Sequence, residues 1–89
     1  MNKFKFLLQD FLEALEEKMA DVYDIHDGSG TEFINAEQVN EDNESLVEIE
    51  LTYSDANGEM GIEEYSIPKS VILDGTLTVE QKLHLIQEG

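Results

Sequence analysis

The sequence predicts an α+β domain in which an N-terminal helix, a three-stranded antiparallel meander and a short C-terminal helix follow one another along the chain. Three patterns support this prediction. Apolar residues recur every three or four positions over residues 4–23, apolar and polar residues alternate over residues 46–53, and a helix-capping sequence lies near the C-terminus. A chain of 89 residues without a low-complexity tract predicts one domain, residues 1–89.

The first helix is predicted over residues 4–23 because its apolar side chains would share one face. Those side chains are Phe4, Leu7, Leu8, Phe11, Leu12, Leu15, Met19 and Val22. The loop 26–31 follows, where Gly28 and Gly30 tolerate a positive φ and are expected to end the helix. The apolar face is expected to pack in the core.

The meander is predicted from three segments of the chain. Residues 31–39 form the first strand and residues 40–44 a turn. Residues 46–53 form the clearest strand, since from Val47 to Tyr53 every second residue is apolar and the residues between them are polar. Residues 60–67 form the third strand, which Pro68 ends because proline cannot donate a ladder hydrogen bond.

The connection between the second and third strands sets their register. It contains an Asn-Gly pair, which is typical of hairpin turns. A three-residue loop, 56–58, with its glycine in the left-handed region, places Ile49 opposite Tyr65 and keeps both strands apolar on one face. A two-residue loop would instead place Leu51 opposite Glu64, so the longer loop is favoured.

The C-terminal part of the chain predicts a second helix. Residues 70–73, a serine followed by three apolar residues, form either a fourth strand or a segment that fills the core. Thr78 and Gln81 have the spacing of a capping box, so a short helix is predicted over residues 79–88. Its buried residues are expected to be Val79, Leu83 and Ile86.

Charge is the most unusual property of the sequence. Five lysines and no arginine stand against 21 Asp and Glu residues, and the formal net charge is −16. A small domain typically carries a net charge of about 2 to 8 in magnitude. Since affinity for phosphates depends on Lys and Arg, direct binding to DNA, to RNA or to an anionic membrane is not expected.

The composition predicts a cytoplasmic protein. Asp10 and Glu13 interrupt the N-terminal apolar run before it reaches the length of a signal-peptide core. No stretch approaches the roughly 20 apolar residues of a membrane-spanning helix. The chain has no cysteine, which suits a reducing compartment and leaves no thiol or disulfide chemistry.

Neither a metal site nor another cofactor is predicted. Two loops resemble calcium-binding EF-hand loops, but both lack required ligands. In the second of them, Asp55 and Asn57 fit the first two ligand positions, yet Met60 replaces the invariant glycine and Ser66 the final glutamate. The first loop fails at its first and last positions.

The sequence does not indicate an enzyme. His26 and His84 are the only imidazoles, no serine lies in a nucleophile elbow, and no glycine-rich phosphate loop precedes a helix. The acidic residues lie on faces predicted to be exposed, where carboxylates stay ionised instead of acting as general acids.

The acidic residues themselves form the candidate site, as two rows and a loop. On the first helix they recur every three or four positions, with only Lys18 to offset them, and on the sheet they share the polar face. Carboxylates held a few ångströms apart on a rigid frame imitate the charge of a nucleic-acid backbone, so the predicted partner is a basic nucleic-acid-binding protein or nuclease. The predicted partner-binding residues are Asp10, Glu13, Glu17, Asp21, Asp24, Asp27, Glu48, Glu50 and Glu64.

The chain resembles the small phage-encoded inhibitors that mimic DNA, among them anti-CRISPR proteins that block an RNA-guided nuclease. The resemblance lies in the size, the charge, the helix–meander–helix order, the acidic row and the hairpin LVEIELTYSDANGEMGIEEYSI. It implies a stoichiometric inhibitor that occludes a DNA- or PAM-binding cleft without chemistry, through acids of the helix, of the loop 24–32 or of the hairpin.

Two other interpretations stay open at the level of sequence. One is a non-catalytic acidic interaction or adaptor module, for which homodimerisation is one form. Ile62 favours it, because the preferred register puts this apolar residue on the polar face of the sheet. The other is an acidic surface that serves only solubility.

Overall fold

The fold has two layers, with helices packed on one face of an antiparallel sheet. The computed structural model describes residues 3–25, 32–55 and 57–88. In chain order the elements are α1 (Lys3–Val22), β1 (Phe33–Val39), β2 (Leu46–Ser54), β3 (Met60–Pro68), α2 (Lys69–Leu73), α3 (Val79–His84) and β4 (Gln87–Glu88). The predicted α+β class and the order of helix, meander and helix are confirmed, and the structure adds α2 and β4.

The apolar face of α1 packs on the sheet as predicted, except for Val22 at its end, which is 62% exposed. Its buried residues are Leu8, Phe11, Leu12 and Leu15. The helix ends earlier than the glycines of loop 26–31 suggest. Asp24 adopts a left-handed conformation with φ 54, and the Ile25 N–H donates to the Ala20 carbonyl oxygen at 2.9 Å. This is the hydrogen bond of a Schellman cap, so an aspartate fills the position that glycine usually takes.

The predicted hairpin register is confirmed, with Ile49 opposite Tyr65. The Gly58 N–H donates to the Asp55 carbonyl oxygen at 3.0 Å, and the Asp55 N–H donates to that of Glu59 at 3.0 Å. Gly58 has φ 81, the left-handed conformation that the longer loop requires. Local turn chemistry therefore determines which faces of β2 and β3 enter the core.

The C-terminal segment differs from the prediction in two ways. The apolar run at 70–73 is part of a short helix, α2, which buries Ile72 completely. The capping box is present, but α3 ends at His84, and the chain continues into β4 instead of remaining helical to residue 88. The cause is non-local: β4 pairs with the outer edge of β3 at Tyr65 and Ser66, which no local pattern reveals.

A buried lysine joins the two short helices. Lys82 of α3 is 4% exposed, and its Nζ donates to the Ile72 carbonyl oxygen at 2.8 Å. The last carbonyl groups of a helix lack intrahelical partners, so the lysine satisfies one of those of α2. One of the five cations of this acidic chain is thus used inside the fold.

Candidate functional site

Three glutamates stand side by side on the open face, which is the face of β1, β2 and β3 that points away from α1. Glu50 of β2 lies opposite Glu37 of β1 on one side and opposite Glu64 of β3 on the other. Directly opposed residues have Cα atoms about 4.5–5.5 Å apart, so this carboxylate row spans about 10 Å across the sheet. The register fixes the row, because each residue is held by ladders of backbone hydrogen bonds.

The sequence predicts only part of the carboxylate row. The pair formed by Glu50 and Glu64 follows from the hairpin register and is confirmed. Glu37 is a residue that sequence analysis misses, since the connection between β1 and β2 carries no hairpin signal that sets its pairing. The alternation of β1 is weak, with only Ala36 fully buried in that strand.

Glu48 lies on the open face but outside the carboxylate row. Its cross-strand neighbours are Val39 and Ser66, neither of which is charged. Its carboxylate accepts a hydrogen bond from Asn43 Nδ2 at 3.3 Å, and Asn43 Oδ1 accepts two backbone N–H groups that follow it, each at 2.9 Å. Glu48 is therefore tied to the turn that precedes β2.

Apolar side chains occupy the other end of the open face. Phe33, Met60 and Ile62 are 42%, 67% and 65% exposed. They lie together because Phe33 and Met60 flank Ser54 in the register, while Ile62 lies opposite Thr52. This apolar end adjoins the carboxylate row, and the position predicted for Ile62 on the polar face is confirmed.

The acidic residues of α1 form a second, separate surface, on the helical layer. Asp10, Glu13, Glu17 and Asp21 are all exposed. Because α1 covers the core face of the sheet, this helical stripe and the carboxylate row lie on opposite layers of the protein. Of the nine predicted partner-binding residues, four therefore lie on the helical stripe and three, Glu48, Glu50 and Glu64, lie on the open face. Asp24 follows the end of α1, and Asp27 lies outside the described residues.

Cations accompany the helical stripe but not the carboxylate row. A cleft of about 570 Å³ lies between α1 and α3, and Lys18 lines it together with Glu17, Asp21, Glu80 and the exposed His84. In contrast, no lysine or arginine occurs in the sequence between Lys18 and Lys69, so β1, β2, β3 and the turns between them contain neither residue.

The described lysines near the sheet are engaged on the helical layer. Lys69 Nζ lies 4.8 Å from the centre of the Phe4 ring, a cation–π contact. Lys82 is buried beneath α2, as described above. Neither lysine therefore neutralises the carboxylate row.

One acid of α1 is turned inward. The Ala36 N–H of β1 donates to Glu16 Oε2 at 2.7 Å. Since β1 is an edge strand, this carboxylate covers a backbone group that would otherwise be free to pair with another chain. Glu16 thus has a structural role, whereas the helical stripe stays exposed.

Tyrosines pin the end of α1 to the sheet on the core side. The ring of Tyr23 stacks on that of Tyr53 with a centroid distance of 4.2 Å, and its hydroxyl donates to Glu63 Oε1 at 2.7 Å. Burial, and then the hydrogen bond to Glu63, raise the pKa of Tyr23 well above its usual value of 10.0. A Cβ on Gly61 would collide with the Tyr53 ring, so glycine is needed under the stack.

The described residues do not gather into a metal cage. Within residues 3–25, 32–55 and 57–88, no group of three or more His, Asp or Glu side chains is placed to hold a metal ion. No helix within those ranges is both long enough and apolar enough to cross a membrane. The acids are spread along rows, an arrangement that suits contact with an extended positively charged surface.

Comparison with known proteins gives no relative for this chain. No family model matches it, and neither a search of curated proteins nor one of solved structures returns a significant match.

Proposed function

We propose that this protein is a stoichiometric inhibitor that imitates the charge of a nucleic-acid backbone and blocks a basic DNA-binding protein or nuclease, as anti-CRISPR and anti-restriction inhibitors do. It acts in the cytoplasm, without chemistry and without a cofactor. Lysine and arginine side chains that otherwise hold phosphates contact its carboxylates instead.

The observation that carries this proposal is the carboxylate row without accompanying cations. Like charges that face each other across strands destabilise a sheet, and a surface that is merely solvated usually intersperses lysines among its acids. Here Glu37, Glu50 and Glu64 are aligned in register, and the three long strands contain no lysine or arginine. Such an arrangement is explained if the counter-charge comes from a partner.

The open face suits this role better than the helical stripe. Its carboxylates are held by a hydrogen-bonded sheet, and they adjoin the exposed apolar residues Phe33, Met60 and Ile62. A partner that docks there gains apolar contact as well as charge pairing. The helical stripe has Lys18 in its midst and provides a second, weaker contact surface.

Net charge gives the proposed complex a kinetic signature. A field from a net charge of −16 attracts a basic partner over distances beyond direct contact and raises the association rate. Salt screens this attraction, with a Debye length of about 10 Å at 0.1 M. The association rate is therefore expected to fall steeply as salt is added, while the dissociation rate changes little.

The test is affinity capture from a bacterial lysate, followed by elution with duplex or single-stranded DNA. Two matched triple variants accompany the wild type. One neutralises the carboxylate row with Glu37→Gln, Glu50→Gln and Glu64→Gln. The other neutralises the helical stripe with Asp10→Asn, Glu13→Gln and Glu17→Gln.

Each result of this experiment has a defined meaning. The proposal expects the wild type to retain basic nucleic-acid-binding proteins that DNA displaces, and expects the row variant to lose them. If only the stripe variant loses these proteins, the partner contacts α1 instead of the open face, and the charge mimicry still holds. If DNA displaces none of the retained proteins, the mimicry is refuted.

A second candidate function is a non-catalytic adaptor module, which the exposed apolar end of the open face favours. Its partner would be held by apolar contact, so the row variant should bind it as well as the wild type does. Ile62→Lys should abolish that binding. The two variants thus separate an apolar contact from charge mimicry.

A further inference from the structure

The two edges of the sheet differ in how their outward-pointing backbone groups are bonded. At the edge formed by β1, the outward-pointing N–H of Ala36 is bonded to Glu16. At the edge formed by β3, the two-residue strand β4 covers only Tyr65 and Ser66. Among the described residues, none pairs with the remainder of that edge, which begins at Met60.

The ladder shows which backbone groups this open edge presents. Hydrogen-bonded pairs alternate along an antiparallel ladder, and the pair of Asp55 and Glu59 is a hydrogen-bonded one. Counting from that pair, every second residue of β3 is hydrogen-bonded to β2, and these residues include Gly61 and Glu63. Met60 and Ile62 therefore direct their N–H and C=O groups away from β2, toward the open edge.

The open edge carries acids, at Glu63 and Glu64, but neither of the residues that most often block an edge strand to an acid-binding partner. Natural edges are often blocked by lysine, proline or a bulge. From Met60 to Glu64 there is no lysine and no proline, and Met60 and Ile62 are the two most exposed apolar side chains of the open face. The adjoining β4 demonstrates that the same edge accepts an antiparallel strand.

We infer that the partner of this protein adds an extended basic segment to the open edge of β3, as an antiparallel strand in line with β4. This inference rests on the proposed function and specifies how the partner is held. Backbone hydrogen bonds to Met60 and Ile62 give the contact its geometry, and side chains that alternate along the added strand give it specificity.

The side-chain chemistry of the added segment follows from the register. Residues directly opposite Met60 and Ile62 point onto the open face, at the apolar end and next to Glu64. An apolar residue opposite Met60 makes a favourable cross-strand pair, and the long side chain of a lysine or arginine opposite Ile62 reaches the Glu64 carboxylate diagonally. The basic residue extends the row of Glu37, Glu50 and Glu64 with an opposite charge. A second copy of this chain is a poorer occupant, because each copy carries a net charge of −16.

The probe for this inference is a short synthetic peptide that repeats Lys-Thr-Val-Thr, so that lysine and valine alternate along one face of the extended strand. A peptide of equal length and charge made of lysine and alanine, which favours a helix, is its control. Binding is followed by backbone NMR shifts and by amide hydrogen exchange of the wild-type protein. The alternating peptide is expected to bind more tightly and to slow exchange of the Ile62 amide by about tenfold or more.

Two variants of Ile62 distinguish the contribution of its backbone N–H to peptide binding from that of its side chain. Ile62→Pro removes the outward N–H and leaves the ladder to β2 intact, and it should weaken binding about fivefold, as expected for one hydrogen bond. Ile62→Val keeps both the N–H and the branched apolar side chain and should bind within about twofold of the wild type. If the proline variant does not fold, amide exchange on the wild type decides the question.

The outcomes distinguish this inference from the function on which it rests. Shifts that centre on α1, or an Ile62 amide that exchanges as fast with peptide as without it, would overturn strand addition and leave the charge mimicry standing. A dimer in sedimentation, with the Ile62 amide already protected, would show that a second copy occupies the edge and would also overturn it. If neither peptide binds and DNA displaces no captured protein, the proposed function fails as well.

Discussion

Neutralising the central glutamate of the carboxylate row should stabilise the protein. Glu50 is half-buried and faces Glu37 on one strand and Glu64 on the other, so Glu50→Gln removes two like-charge contacts and keeps the size of the side chain. Cross-strand pairs are worth about 0.2–1 kcal/mol each. Taking about 0.5 kcal/mol for each contact gives a gain of about 1 kcal/mol in the free energy of unfolding.

The assay is thermal and urea unfolding followed by circular dichroism, at about 10 mM and at about 500 mM salt. A gain of about 1 kcal/mol raises Tm by about 4–8 °C in a domain of this size. Screening shortens the Debye length, so the gain should shrink at high salt. The wild type itself should melt at a higher temperature in high salt, because its self-repulsion is reduced.

The matched control is Glu48→Gln. It changes the net charge by the same amount on the same strand and face, but the neighbours of Glu48 are Val39 and Ser66, and glutamine keeps an oxygen for the bond from Asn43. Its stability should stay close to that of the wild type. Equal effects of the two substitutions, or a loss of stability with Glu50→Gln, would contradict the reasoning from register.

Three further perturbations test the packing beneath the site. Lys82→Met keeps the aliphatic stem but leaves the Ile72 carbonyl without its donor, and urea unfolding should show a loss of about 1–3 kcal/mol. Gly61→Ala forces a Cβ into the stacked tyrosine ring and should cost about 1–3 kcal/mol, whereas Gly75→Ala, with no neighbour within 4 Å, should cost much less. The raised pKa of Tyr23 contributes stability below its unfolded value of about 10, and that contribution is lost as the pH rises further. As the pH rises through about 10, the free energy of unfolding measured in urea should therefore fall less for Tyr23→Phe than for the wild type. An equal fall would contradict the contribution assigned to Tyr23.

Part of the candidate site follows from the sequence, because the signals that determine it are local. The period of the apolar residues of α1 identifies which face is buried and leaves Asp10, Glu13, Glu17 and Asp21 exposed. The turn with Gly58 in the left-handed conformation sets the register that pairs Glu50 with Glu64. Side-chain periodicity and turn geometry act within a few residues, so they can be read along the chain.

The rest of the site depends on contacts between distant segments. Glu37 joins the carboxylate row through the pairing of β1 with β2, and Glu16 turns inward to the Ala36 N–H twenty residues away in the chain. The helical period separates Glu16 from the exposed acids that include Glu17, but it does not reveal which group the Glu16 carboxylate contacts. That contact arises because the carboxylate meets a free edge of the sheet.

By itself, the sequence determined the fold class, the hairpin register and an excess of negative charge that a basic partner would complement. The tertiary structure decided how that charge is distributed: one row on the open face, a second on the opposite layer, and Lys82 withdrawn into the core. It also decided that β4 pairs with β3 at Tyr65 and Ser66, while none of the described residues pairs with the edge of β3 at Met60 and Ile62. The physical reason is that periodicity and turns are properties of neighbouring residues, whereas strand order, edges and layers arise only when distant segments satisfy each other's hydrogen bonds.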